Sequence, residues 1–106
     1  MVLIMITVGY PLTKGTEVTK KYFEAMKKFP HASFEKPLVD AQKMHDKEGG
    51  VVISIFAVDK GKYEESLNLN YKRFLEFYGI EGFNYKVETL MTLEESFALQ
   101  GIVPPK

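Results

Sequence analysis

The chain has 106 residues, 45% hydrophobic and 26% charged, which is typical of a globular protein, so we expect residues 1–106 to form a single domain. Its 14 basic and 14 acidic side chains cancel, which argues against a nucleic-acid partner because phosphate binders carry excess positive charge. The absence of cysteine excludes disulfides, thiolate metal sites and a cysteine nucleophile.

The first segment predicts a strand followed by a helix. Residues 2–8 form an apolar run that is much shorter than the ~20 residues of a membrane span. No basic segment of the kind that opens a signal peptide precedes it, so we expect a buried strand in a cytoplasmic protein without a membrane partner. Over residues 16–29 apolar side chains recur at helical spacing, and Pro30 ends this helix.

Two strands are predicted next. Residues 34–44 are mixed in polarity and contain Pro37, which cannot donate a hydrogen bond to a neighbouring strand, so this segment is predicted as an edge strand. A polar turn through residues 45–50 follows, and residues 51–58 are the clearest strand of the chain.

The C-terminal half predicts a helix, a strand and a short third helix. Asp59 is placed to cap the second helix, which ends before Gly79. Residues 83–91 alternate in polarity like a half-buried strand, and Thr92 with Glu95 has the spacing of a capping box. The predicted apolar arc of the second helix consists of Tyr63, Leu67, Tyr71, Phe74, Leu75, Phe77 and Tyr78.

The order β-α-β-β-α-β with a short helical tail predicts an α+β protein with a ferredoxin-like fold. Right-handed crossovers place the first and third strands in the centre of one antiparallel sheet and both long helices on one face. The sequence agrees with this placement, because the two most apolar strands are the predicted central ones.

The two central strands are apolar on both sides, whereas a strand with one face in water alternates in polarity. The sides expected to face the helices are Val2, Ile4, Ile6 and Val8 in the first strand and Val51, Ile53, Ile55 and Ala57 in the third. The opposite sides would carry Leu3, Met5, Thr7 and Gly9 together with Val52, Ser54, Phe56 and Val58. An apolar face of this extent is rarely left in water. We therefore expect a second copy of the chain to cover it.

The strand order, the doubly apolar central strands and the short C-terminal helix together resemble the dimeric α/β-barrel superfamily. In that superfamily two ferredoxin-like sheets pack face to face around an enclosed space. The resemblance covers nearly the whole chain and implies a homodimer. Its members include cofactor-free monooxygenases, haem-degrading enzymes, lactone isomerases and small stress proteins, so the fold does not specify the chemistry. The haem-degrading members use a tryptophan, which this chain lacks, and we predict no cofactor.

Small side chains on the central strands indicate a cavity at the sheet face of the dimer. Thr7 and Ser54 stand where large aliphatic residues would fill a solid core. Lys86 and Glu88 would face the same space, with Lys86 as anchor for an anionic head group, unless they are edge-strand charges in water. The predicted ligand-binding residues are Met5, Thr7, Ser54, Phe56, Lys86 and Glu88, which suit a small apolar or amphipathic molecule such as a fatty-acid-like or aromatic carboxylate.

The only two histidines, His31 and His45, each lie beside a turn without a partner at metal-ligand spacing. We therefore predict no metal site and favour solvated loop histidines over a general base. Three functions stay open: a binding protein, a cofactor-free monooxygenase or isomerase, and a structural dimer with a filled interior. An enzyme needs an acid or base against its substrate, so His31, Lys86 or Glu88 inside the cavity would favour catalysis.

Overall fold

A computed structural model describes residues 2–45, 47 and 49–105 of the chain. The side chain of His45 lies outside the described part. In chain order the elements are β1 (Val2–Tyr10), a 3-10 turn (Leu12–Lys14), α1 (Gly15–Lys28), β2 (Glu35–His45), β3 (Gly49–Val58), α2 (Tyr63–Leu75), β4 (Asn84–Leu90) and α3 (Leu93–Gln100).

The four strands form one antiparallel sheet in the order β2-β3-β1-β4. The predicted α+β class, element order and central pair β1 and β3 are therefore confirmed, and the architecture is consistent with a ferredoxin-like fold. β2 is an edge strand, as Pro37 indicates, and its register with β3 shifts between Pro37 and Val39. Because proline cannot donate to the neighbouring strand, the irregularity falls where the hydrogen-bond ladder is already weak.

The pairing of β1 with β3 decides which side of each strand faces the helices. Ile4 lies opposite Phe56 and Ile6 opposite Ser54, and directly opposed residues share a face of the sheet. The even-numbered residues of both strands therefore point to the helices. The predicted orientation is right for β1 and wrong for β3, because β3 is apolar at nearly every position and its own alternation indicates no side.

The core lies between the even-numbered face of β1 and β3 and the two long helices. Ile4 and Val58 have no exposed surface. Tyr10, at the end of β1, packs over Gly50, where any Cβ would overlap its ring. Apart from Ala57, which is on the other side of the sheet, the buried apolar residues fall into two clusters: Ile4, Ile6, Phe56 and Val58, and Tyr10, Val18, Ala25, Phe77 and Ile80.

The buried residues of α2 itself are polar, contrary to the predicted aromatic arc. Ser66, Asn70 and Arg73 are buried at spacings of four and three residues, which is one side of a helix. Four members of the predicted arc are half-buried or buried, namely Tyr63, Leu67, Phe74 and Phe77, whereas Tyr71, Leu75 and Tyr78 are exposed.

The start of α2 also differs from the prediction. Asp59 does not cap the helix, because a turn at Gly61 separates it from the start of α2. In this turn the Lys62 N–H donates a hydrogen bond to the Asp59 carbonyl oxygen. α2 begins after that turn, with Lys62 in the capping position and no side-chain cap.

The other side of the sheet is not covered by α1 or α2, and we call it the open face. α3 begins with the predicted capping box, in which the Glu95 N–H donates to Thr92 Oγ1 at 3.1 Å and the Thr92 N–H donates to Glu95 Oε1 at 3.1 Å. None of its residues is buried, and Leu93 and Leu99 are 74% and 77% exposed. The open face is formed by Leu3, Met5, Thr7, Val51, Ile53 and Ile55, flanked by Lys36, Lys43, Lys86 and Glu88.

Across the described ranges, no helix combines the length and the apolar character needed to cross a bilayer.

Candidate functional site

A cavity of about 360 Å³ lies between α1, α2 and the side of the sheet that faces them. Its floor includes Val52, Ser54 and Phe56 of β3, and its wall on α1 includes Val18 and Tyr22. Two small side chains contribute to the lining: Ala25, which with Val18 is buried on α1, and Ser54, which interrupts the apolar floor.

The predicted site residues lie on two opposite sides of the sheet. Ser54 and Phe56 line the cavity beneath the helices. Met5, Thr7, Lys86 and Glu88 lie on the open face, where Thr7 is opposite Lys86 and Met5 is opposite Glu88. The six residues therefore do not share one site, because the side chains of neighbouring residues along a strand point to opposite faces.

Lys86 and Glu88 face away from the helices, as their alternation along β4 indicates. Their charged groups are 3.6 Å apart at the edge of the sheet, and both side chains are substantially exposed. This arrangement agrees with the alternative that the two residues are solvated charges of an edge strand.

A buried carboxylate lies behind the cavity lining, where it contacts the lining residues His31 and Arg73. The side chain of Glu35, the first residue of β2, is 0% exposed. Its Oε1 accepts a hydrogen bond from Ser66 Oγ at 2.8 Å, and its Oε2 accepts from Arg73 Nη2 at 3.0 Å and lies 2.9 Å from His31 Nδ1. Burial alone raises the pKa of Glu35, but the hydrogen bonds from His31, Arg73 and Ser66 outweigh it and hold the pKa below its ordinary value.

Arg73 ties this carboxylate to the loop between α1 and β2. Its Nε donates to the Phe29 carbonyl at 2.8 Å, and its Nη2 donates to the Pro30 carbonyl at 3.1 Å. Its Nη1 donates to Asn70 Oδ1 at 2.9 Å. The buried polar stripe of α2 thus serves as the hydrogen-bonding partner of Glu35 and of the loop that precedes it, which explains why these α2 positions are polar.

His31 is held in a defined orientation by this network. Its ring lines the cavity, and its centroid lies 6.2 Å from that of Phe56. With Glu35 ionised, Nδ1 carries a proton and donates to the carboxylate, and in the neutral ring this leaves the lone pair on Nε2. The sequence interpretation of His31 as a solvated loop residue missed the Glu35 partner. The one feature of the sequence that could have indicated this pair is the four-residue separation of His31 and Glu35. Such a separation predicts a contact within a helix but not across a loop.

A second polar group lies on the floor of the cavity. Ser54 Oγ donates to Asp40 Oδ1 at 2.7 Å, from β3 to the residue opposite it on β2. Tyr22 of α1 also lines the cavity. Burial, and then the negative charge of Asp40, raises the pKa of Tyr22, so its hydroxyl keeps its proton. Within residues 2–45, 47 and 49–105, no three His, Asp or Glu residues are grouped closely enough to hold a metal ion.

The comparisons with known proteins support the fold alone. The sequence matches no protein-family model. It also matches no curated protein. Among solved structures, the chain is similar to the de novo designed protein Foldit4, with a TM-score of 0.59 and 17% sequence identity over 86% of this chain and 97% of that chain.

Proposed function

We propose that this protein binds a small, mainly apolar molecule in the cavity between α1 and the sheet. The observation that carries the proposal is the cavity itself, about 360 Å³ in volume, lined mostly by aromatic and aliphatic side chains with few polar groups. This size and make-up are those of small-molecule sites in proteins. The cavity opens to solvent between exposed side chains of α1 and β2, among them Tyr22, Phe23 and Gln42, so a small molecule has a route into it.

Two neighbouring residues of β3 provide a matched test. Val52 lies on the cavity floor, whereas Val51 lies on the open face. We expect Val52→Phe to fill the cavity and abolish toluene binding, followed as changes in backbone amide chemical shifts around the cavity. Val51→Phe adds the same volume to the other face and should leave toluene binding intact. Loss of binding in Val51→Phe alone would instead place the ligand on the open face, and unaltered binding in both would refute the cavity.

A second candidate function is catalysis, as a cofactor-free isomerase or monooxygenase of the dimeric-barrel type. It is favoured by His31, whose Nδ1 lies 2.9 Å from the fully buried Glu35 carboxylate while the ring lines the cavity. A carboxylate that orients an imidazole leaves Nε2 as a base towards a bound molecule, and either activity needs such a base.

The catalytic candidate is tested by proton exchange. We expect the wild-type protein to speed deuterium incorporation from D₂O into 1-indanone, a ring-sized ketone that can enolise. His31→Gln should lose that rate while still binding the ketone. Equal rates in wild type and His31→Gln would leave binding as the function.

We further propose that the open face pairs with the open face of a second copy. The face is apolar, and its margins carry Lys36 and Lys43 on one side and Lys86 with Glu88 on the other. α3 offers the complementary surface, because it presents exposed apolar side chains beside the acidic Glu94 and Glu95. Each copy carries both surfaces, so a two-fold arrangement that packs the two open faces together can also place each α3 against the margin of its partner's open face.

Sedimentation equilibrium at micromolar concentration tests the homodimer. Ile55→Glu places a charge in the open face and should give a monomer or an unfolded chain, since an isolated charge in an apolar interface is costly. The control is Leu75→Glu, at an exposed position of α2, which should sediment like the wild type. A folded wild-type monomer would refute the homodimer.

A further inference from the structure

Most side-chain hydrogen-bond donors that line the cavity are already used within the protein, and the Tyr22 hydroxyl is the exception. Ser54 donates its hydroxyl proton to Asp40, and the amide of Asn70 donates to a carbonyl of α2. The amide nitrogen of Gln42 donates to a tyrosine hydroxyl and to a methionine sulfur. Every guanidinium nitrogen of Arg73 donates to a protein acceptor. A ligand whose polar group has only acceptors, such as a carboxylate, would therefore find few unused donors in the cavity lining.

Two strong acceptors remain available on the same wall. Asp40 accepts one hydrogen bond, from Ser54, and a carboxylate has room for about four. In its neutral form His31 offers the lone pair of Nε2, because the proton on Nδ1 is directed at Glu35. His31 lies beside Phe56 and Asp40 beside Ser54. Ser54 and Phe56 are two residues apart on one face of β3, about 7 Å along the strand, so the two acceptors adjoin different parts of the cavity floor.

The charges at the cavity favour the same kind of ligand. The positive charge of Arg73 is matched by the carboxylate of Glu35, with which it pairs at 3.0 Å. Asp40 forms no ion pair with any residue in the described ranges, so its negative charge is the unbalanced one at this site. Tyr22 keeps its proton beside it and adds no charge.

We infer that the cavity selects an apolar, ring-sized molecule whose polar group is a hydrogen-bond donor, above all a protonated amine, which Asp40 receives. The inference rests on the proposed function, since it names the class of ligand for the same cavity. It also reverses the sequence-based expectation of a carboxylate held by Lys86, because Lys86 lies on the open face, away from the cavity.

Four probes that share one ring test this selection. Toluene, benzyl alcohol, benzylamine and benzoate differ only in the polar group that they carry. For the wild type we expect affinity to decrease from benzylamine to benzyl alcohol to benzoate, measured by titration of amide chemical shifts. Asp40→Asn keeps an acceptor for Ser54 but removes the charge. It should reduce the preference for benzylamine over benzoate roughly fivefold, because an ion pair between Asp40 and the amine would be partly exposed to solvent. Toluene binding should not change.

Glu81→Gln is the control, because Glu81 is exposed and lies outside the cavity lining. It should preserve the preference for benzylamine. If benzoate binds the wild type as tightly as benzylamine, or if Asp40→Asn leaves the preference unchanged, the inference is wrong while the binding function stands. If toluene also fails to bind, the proposed function falls and this inference falls with it.

Discussion

Replacing Arg73 by methionine should destabilise the protein more than any exposed substitution. The Arg73 side chain is 7% exposed and donates hydrogen bonds to Glu35, Asn70 and the carbonyls of Phe29 and Pro30. Methionine has a similar volume but no donor, so Arg73→Met leaves the Glu35 carboxylate buried without its cation. The two loop carbonyls lose their partner at the same time.

The magnitude follows from the burial of the pair. Removing one partner of a buried ion pair costs about 3–5 kcal/mol, because the remaining charge is left uncompensated. A domain of this size has a free energy of unfolding of roughly 5–15 kcal/mol, so the loss is a large fraction of the total. At about 4 °C per kcal/mol for a chain of this length, the Tm should fall by about 12–20 °C.

Urea and thermal unfolding measure this loss, and Lys28→Met is the matched control. Lys28 also joins α1 to α2, through a 2.7 Å ion pair with Glu76, but its side chain is 59% exposed. After Lys28→Met, solvent can hydrate the Glu76 carboxylate that loses its partner, so the unfolding midpoint should barely change. Arg73→Lys keeps the charge but loses the planar guanidinium group. Its loss in free energy of unfolding should therefore lie between those of Arg73→Met and Lys28→Met. If Arg73→Met costs no more than Lys28→Met, the buried network does not stabilise the fold as argued.

Other predictions concern the same network and two glycines. Folding lowers the pKa of Glu35, so ionised Glu35 stabilises the folded state. This contribution to the free energy of unfolding is complete at a pH above the ordinary glutamate pKa of 4.5, and it is lost as the pH falls towards the pKa of the folded state. Glu35→Gln should flatten the decline in unfolding free energy between pH 5 and pH 3, within roughly the range where ordinary carboxylates titrate, and an unchanged slope would contradict this. Gly50→Ala should cost about 1–3 kcal/mol in urea unfolding, because the new methyl group overlaps the Tyr10 ring, and wild-type stability would refute that packing. Gly101→Ala meets no neighbouring atom but must adopt a positive φ of 71°, so its cost should be about 1 kcal/mol and confined to the end of α3.

The candidate site could be predicted only in part, because side-chain direction in an apolar strand depends on its partners. Ser54 stands out in the sequence as a small residue in a central strand, and it does line a cavity. Its direction follows from its position opposite Ile6, which no pattern within β3 indicates. Thr7 was grouped with Ser54 for the same reason of size, but it points to the open face.

The polar network could not be predicted, since each member is unremarkable in the sequence. Glu35 reads as the first residue of a polar edge strand, and Arg73 reads as part of the charged outer surface of a helix. Ser66 and Asn70 carry no apolar signal that would indicate burial. Only the packing of α2 over the start of β2 brings these side chains together, where they satisfy one another without water.

The order of the elements, the central position of β1 and β3 and the capped start of α3 all follow from the amino-acid sequence. These properties depend on local signals, namely apolar runs, Pro37 in an edge strand and the pair Thr92 and Glu95. The face of β3 that meets the helices and the position of the cavity depend instead on how the strands pair and the helices pack. The physical reason is that local chemistry specifies the conformation of a segment, whereas the register between strands specifies the side to which each residue points.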